Sequence, residues 1–259
     1  HVVRRCPPGV SKGITCQKLG EAEVMADAGI DDILVSYNLI SAARSGRLGA
    51  LMQRANLTVC ADNPVTLAAY ADAAKGTGRE LQVAIECDTG RKRAGVETAK
   101  EAVALAGIVK ETPGLTFKGF LFYPTETSWG ETQTFYDAAA AGVRALGLEP
   151  AIVSTGGTPN LANVGKLKGA TEHRAGTSIF NDRMQMAAGV ASLDDCALMV
   201  YATVVSRAGP ERGSVVDHFD ERHRPFDRAA PQLLAVELPH LLAAGLGEKL
   251  RTLVVLVLR

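Results

Sequence analysis

The chain has 259 residues, with 28 Lys+Arg against 28 Asp+Glu, and 47% of it is hydrophobic. A formal charge of zero argues against nucleic-acid or membrane-surface binding driven by net charge, and the apolar content excludes a chain too polar to bury a core. A complete eight-stranded β/α barrel takes about 250 residues, so a barrel fits but leaves little beside it. Arg4 and Arg5 are followed by Pro7, Pro8 and Gly9 instead of an apolar stretch, so no signal peptide is expected. No run reaches the roughly 18 apolar residues of a membrane-spanning helix, and the apolar residues 253–258 predict a buried strand. The cysteines (Cys6, Cys16, Cys60, Cys87, Cys196) are odd in number and lack a CxxC pair. That usage fits reduced thiols and a cytoplasmic location better than a disulfide framework or structural zinc.

In chain order, residues 13–16 read as a short strand and 19–28 as a helix that Gly29 ends. A strand follows at 33–37, a helix at about 42–55 and a strand at 57–60. Asp62-Asn63-Pro64 is a helix start, with a cap residue before a proline. Residues 81–86 form the next strand, 99–109 a helix, 117–123 a strand, 133–146 an alanine-rich helix and 151–154 a strand. Residues around 171–180 predict a seventh strand. Strand-then-helix repetition implies a parallel sheet, and nearly continuous apolar strands imply helices on its outer face. Residues 197–206 are β-prone with no helical pattern after them, and 207–228 are polar, with Pro210, Gly213 and Pro225. The expected domains are an α/β barrel over 1–190 and a small β-containing domain over 191–259.

Ser154-Thr155-Gly156-Gly157-Thr158-Pro159 lies between a strand and an expected helix. Glycines admit an anion close to the backbone, Thr158 suits the cap, and free N–H groups at a helix start hold phosphate. An ordinary strand-to-helix turn reads the same way. Glu86-Cys87-Asp88-Thr89-Gly90-Arg91-Lys92-Arg93 lies where a strand leaves the sheet, and an arginine of it is either an anion-binding fork or part of a solvated basic turn. Tyr123 ends its strand and suits a cofactor contact or a core position. His173, Arg174, Gly176, Thr177, Asn181 and Asp182 suit a second phosphate-facing loop or a polar connection. His218, Asp220 and His223 have metal-compatible spacing but fall in an expected loop, and His240 has no second ligand nearby.

Residues 13–25, 86–96, 119–124, 153–159, 172–182 and 202–213 together resemble, in order, the D-threonine aldolase and D-serine dehydratase family. Its members are pyridoxal-phosphate enzymes built on the alanine racemase N-terminal barrel. The resemblance implies that Arg93 contacts the cofactor's ring oxygen and Tyr123 lies beside the ring. It further implies that Ser154, Gly156, Gly157 and Thr158 form a phosphate-side loop, with Gly176 and Thr177 in a second loop. Where family members carry tyrosine after that Gly-Thr, this chain has Ser178. The family's cofactor-bearing lysine lies about 20 residues before the match to Gly13-Ile14-Thr15, whereas His1-Val2-Val3-Arg4-Arg5 contains none. The expected fold is therefore a TIM-like barrel lacking its first strand, followed by a shortened β domain. His240 is the nearest echo of the family's metal site, which would take a divalent ion such as zinc or manganese. The implied activity is cleavage or dehydration of D-3-hydroxy amino acids, in a homodimer. The alternatives are a catalytically silent cofactor-binding barrel or fragment, and an unrelated sugar-phosphate barrel.

Overall fold

A computed structural model describes residues 13–197 and, beyond them, the strands at 200–209, 212–217, 234–237 and 252–255. The chain divides into two compact units between Ser178 and Ile179.

The first unit alternates strand and helix. Its elements are β1 (Ile14–Cys16), α1 (Leu19–Asp27), β2 (Asp32–Val35), α2 (Ala42–Met52), β3 (Asn56–Ala61) and α3 (Pro64–Ala74). There follow β4 (Leu81–Cys87), α4 (Ala99–Glu111), β5 (Leu115–Phe122), α5 (Trp129–Ala145), β6 (Ile152–Gly156) and β7 (Glu172–Arg174). The seven strands pair in sequence order, and every pair is parallel. They form the nearly closed α/β barrel that the strand count predicts. Local chemistry sets the helix starts. Asn63 accepts from the Thr66 N–H at 2.9 Å with Pro64 behind it, and Thr98 and Glu101 form a reciprocal capping box on α4.

Side chains alternate across each strand, and the two faces differ. Val83, Ile85, Phe120, Phe122 and Val153 join the large core packed against the helices. Leu34, Cys60, Ala84 and Leu121 form a separate small cluster, the apolar layer inside the barrel. Continuing that inward phase toward the strand ends reaches Asp62, Glu86, Tyr123, Ser154, Gly156, Glu172 and Arg174. The apolar floor thus gives way to a polar mouth.

Two expectations about this unit need correction. The segment after Gly157 is a 3-10 helix over Thr158–Lys166, not an α-helix, and the Thr158 side chain does not cap it. The seventh strand is three residues long, and Thr177–Ile179 is a 3-10 turn. Glu172 to Arg174 align with Ser154 to Gly156, and Gly157 already turns away, so little strand is left to pair.

In the second unit, α6 (Arg183–Ala187) precedes β8 (Val200–Gly209), β9 (Arg212–Asp217), β10 (Leu234–Glu237) and β11 (Thr252–Val255). These strands form an antiparallel sheet in the order β10-β9-β8-β11. The polar stretch at 207–228 contains a strand, β9, paired with β8. β11 falls within the apolar closing run.

Candidate functional site

The mouth is built from the ends of β3 to β7. On leaving β4 the chain folds back on itself: Asp88 N–H donates to Val96 O and Val96 N–H to Glu86 O, both at 2.9 Å. Gly95 makes this possible. Its φ is +107°, and a Cβ there would stand 2.7 Å from the Asp88 nitrogen and from the Cys87 carbonyl carbon. Its own N–H donates to Asp62 Oδ2 at 3.1 Å, tying the returning loop to β3. The loop delivers two guanidinium groups to Tyr123: Arg91 lies 4.5 Å and Arg93 5.5 Å from the ring centroid. Arg91 is fixed further by Pro124 O at 2.9 Å and Glu126 at 3.0 Å, while Arg93 is exposed.

Tyr123 also packs against the glycine turn. A Cβ on Gly157 would lie 2.7 Å from the ring, and one on Gly156 3.4 Å from it. The two glycines thus let the aromatic ring lie directly against the backbone. Thr158 Oγ1 accepts from the Ser178 N–H at 3.2 Å, so the turn is joined to the Gly176-Thr177 loop. Gly176 and Thr177 are exposed. Asn160, fully buried, donates to Pro124 O at 3.0 Å and fastens the 3-10 helix beneath Tyr123.

Inside the mouth lies a polar network. Ser154 Oγ donates to Glu172 at 2.7 Å and accepts from Arg174, whose other nitrogen donates to Phe122 O at 3.0 Å. Burial pulls the Arg174 pKa down, against the opposing pull of Glu172 and Glu86. Cys60 Sγ lies 3.4 Å from Glu86 Oε2. Burial raises the Glu86 pKa, partly offset by the Cys60 hydrogen bond and the charges of Arg93 and Arg174. Burial, then the Glu86 charge, raises the Cys60 pKa well above the ordinary thiol value, so this cysteine stays protonated. Tyr70 holds the end of β3 in place, donating to Cys60 O at 2.7 Å and accepting from Leu39 N–H.

The candidates Arg93, Tyr123, Ser154, Gly156, Gly157, Thr158, Gly176 and Thr177 all lie on this end of the barrel. Ser154 is enclosed beneath Arg174 and is committed to its two partners. Asn181 and Asp182 serve the chain itself: Asn181 donates to Asp195 O at 3.0 Å, and Asp182 caps α6. Glu86 and Arg91 entered the sequence reading only as parts of the stretch Glu86 to Arg93, and Cys60 only as one of the cysteines, although Glu86 falls in phase with inward Ala84. A groove of about 970 Å³ lies outside the barrel, between Thr98 on α4 and Phe135 on α5. None of the eight candidates just named lines it, although Asp88, Thr89, Gly90 and Lys92 of the stretch Glu86 to Arg93 do.

Cys16, Cys60, Cys87 and Cys196 are free thiols. Among the described residues no group of His, Cys, Asp or Glu is arranged to hold a metal ion. His218, Asp220, His223 and His240 lie outside the described residues. No helix among the described residues is long and apolar enough to cross a membrane.

Comparison with known proteins adds a second line of evidence. The family described as "Alanine racemase, N-terminal domain" matches residues 2–184. A D-threonine aldolase of Arthrobacter sp. is 32% identical over 216 residues, covering 78% of this chain and 57% of that protein. A D-threo-3-hydroxyaspartate dehydratase of Delftia sp. strain HT23 is 30% identical, covering 80% of this chain and 58% of its own. The solved D-threonine aldolase of Filomicrobium marinum superposes with a TM-score of 0.70 at 28% identity, over 79% of this chain and 59% of that one. The chain spans about half the length of the curated relatives it matches.

Proposed function

The chain belongs to the alanine racemase N-terminal domain family, and from that premise we propose that it forms the cofactor-binding barrel of a pyridoxal-phosphate-dependent lyase acting on D-3-hydroxy amino acids. The observation that carries this reading is the meeting of a side-chain-free turn with fixed cationic donors around one aromatic ring. Gly156 and Gly157 lie against Tyr123, and Arg91 and Arg93 over it.

This donor set suits a phosphorylated heteroaromatic ring. At the start of the 3-10 helix after Gly157, the Thr158 N–H has no partner within that helix and suits a phosphate oxygen, whereas Pro159 has no N–H and that of Asn160 donates to Gly157 O. Gly176 and Thr177 would complete the cradle, held to it through Ser178 and Thr158. Arg93 would reach the ring oxygen, and Tyr123 would support the ring. The bound cofactor would supply an electron sink for the substrate's α-carbon. The chain's own residues bind and orient: Arg91 and Asn160 immobilise Tyr123 and the turn, and Cys60 presents a neutral thiol on the floor. The reading includes a homodimer, which sedimentation equilibrium at two loading concentrations checks. A monomer mass at both would remove it.

The test is a titration of the full chain with pyridoxal phosphate, followed by borohydride reduction and peptide mass spectrometry. Turnover of D-threonine and 3-hydroxy-D-aspartate is then measured. Saturable binding, a cofactor-sized adduct on a lysine and release of glycine or ammonia are expected of a lyase. One observation favours a second reading, a catalytically silent cofactor-binding barrel: both cations over Tyr123 are arginines, which bind an anion but do not form an imine with the cofactor. Saturable binding without adduct or turnover selects that reading, and absence of saturable binding removes both.

A further inference from the structure

We propose that His173 is a positioning residue for the glycine turn, fixing the Gly157 peptide so that the turn accepts a phosphate group; this rests on the cofactor reading above. His173 stands between Glu172 and Arg174 on β7, and those two point into the mouth. Alternation puts His173 on the opposite face, behind the turn. Its contacts agree. Nε2 lies 3.0 Å from Gly157 O, and Nδ1 lies 2.7 Å from Thr155 Oγ1 on the same outer face of β6.

These partners dictate the tautomer. A carbonyl only accepts, so Nε2 carries the proton and donates to Gly157 O. In the neutral ring Nδ1 is then an acceptor, and the Thr155 hydroxyl donates to it. The imidazole thus spans a rigid strand position and the first residue of the turn. Burial lowers the His173 pKa, with the neighbouring Arg174 charge acting the same way, which is consistent with a neutral ring.

The Gly157 peptide needs such an anchor. Its φ of +104° and lack of a side chain give it conformational freedom that other residues lack. Its N–H is held by Arg174 O at 2.9 Å, and its carbonyl accepts from the Asn160 N–H at 2.9 Å and from His173. β7 therefore grips both peptides that flank Gly157, the one before it through the Arg174 backbone and the one after it through the His173 ring. With that carbonyl held back toward the strand, the Thr158 N–H of the same planar peptide is turned the opposite way, toward a ligand; Pro159 has no N–H, and that of Asn160 is spent on the Gly157 carbonyl. Without the imidazole, rotation of that peptide would turn a carbonyl dipole toward the anion.

The experiment compares wild type, His173→Ala, His173→Gln and Thr155→Val in the full chain. Dissociation constants are measured for pyridoxal phosphate and for pyridoxal, which lacks the phosphate. Hydrogen exchange of residues 155–161 is followed without ligand. Loss of one well-placed hydrogen bond should weaken pyridoxal phosphate about tenfold in His173→Ala, with pyridoxal changed by less than about twofold. His173→Gln, whose amide can still donate to Gly157 O, should recover to within about threefold of wild type. Exchange in 155–161 should quicken in His173→Ala while that of β3 to β5 stays unchanged. Equal weakening of both ligands, no weakening, no rescue by glutamine, or unchanged exchange would each overturn the proposal. If His173→Ala does not fold, His173→Gln and Thr155→Val decide it: glutamine must keep the phosphate preference and valine must reduce it. Wild type that binds neither ligand would instead remove the cofactor reading, and the ligand-free exchange data keep the two failures distinct.

Discussion

At Gly157 two separate requirements exclude any other residue: a backbone φ of +104° and an aromatic ring 2.7 Å from where a Cβ would stand. Gly157→Ala should therefore lose roughly 1–3 kcal/mol of stability by urea denaturation, the usual range for one strained backbone position. The clash and the backbone cost are separable. In a Tyr123→Ala background the contact is gone and only the φ penalty remains, so Gly157→Ala should cost less there; an equal cost in both backgrounds would refute the packing account. Glu86 supports a second residue-scale prediction, about pH. Burial raises its pKa, so the folded chain holds that proton more tightly than the unfolded chain. Its contribution to stability is fully present below the ordinary value of 4.5 and is lost as pH rises through the raised folded value. Glutamine cannot titrate, so the stability of wild type relative to Glu86→Gln should fall as pH rises across that window. A constant difference, measured by denaturant titration at each pH, would mean that the carboxyl is not held in this way.

Among the helices, α4 has the most complete start signal. Thr98 accepts from the Glu101 N–H at 3.2 Å, while Glu101 accepts from the Thr98 N–H at 3.0 Å. Thr98→Ala should cost about 1 kcal/mol, read as a shift in urea midpoint at unchanged slope; a shift within error would show that the packing of α4 alone sets its start. The same kind of local signal explains what the sequence made legible. β3 is a run of buried residues entered at Asn56, and α3 has Asn63 and Pro64 at its start, so both were readable without knowledge of their neighbours. Proline after Gly157 is different, because its fixed φ suits a 3-10 helix as well as an α-helix, so the sequence does not choose between them. Arg174 was harder still. Its inward direction depends on pairing with Ser154 and Gly156, and a strand of three residues carries too little alternation to reveal its phase. Glu86, two residues beyond Ala84 on a longer strand, was accessible by counting. It becomes meaningful only once Cys60 on β3 is known to face it.

For the molecule as a whole, the arrangement of donors decides where a ligand's stabilisation must appear. The donors come from the ends of β4 to β7 and the loops they carry, whereas α1 and α2 pack on early strands and contribute none. A ligand that binds only the folded chain stabilises it by RT ln(1 + [L]/Kd), about 2.7 kcal/mol at 100 times the dissociation constant. Pyridoxal phosphate at that excess should raise the urea midpoint accordingly. Hydrogen-exchange protection beyond the global gain should gather in residues 123–126, 154–160 and 174–178, none of which lines the outer groove, and not in α1 or α2. Protection centred on Thr98 and Phe135 would instead place the ligand in the outer groove between α4 and α5. Tyr123 separates these outcomes chemically as well as spatially. Its ring touches the glycine turn and both arginines but does not line the groove, so Tyr123→Ala should weaken binding at the mouth and leave binding in the groove unaffected.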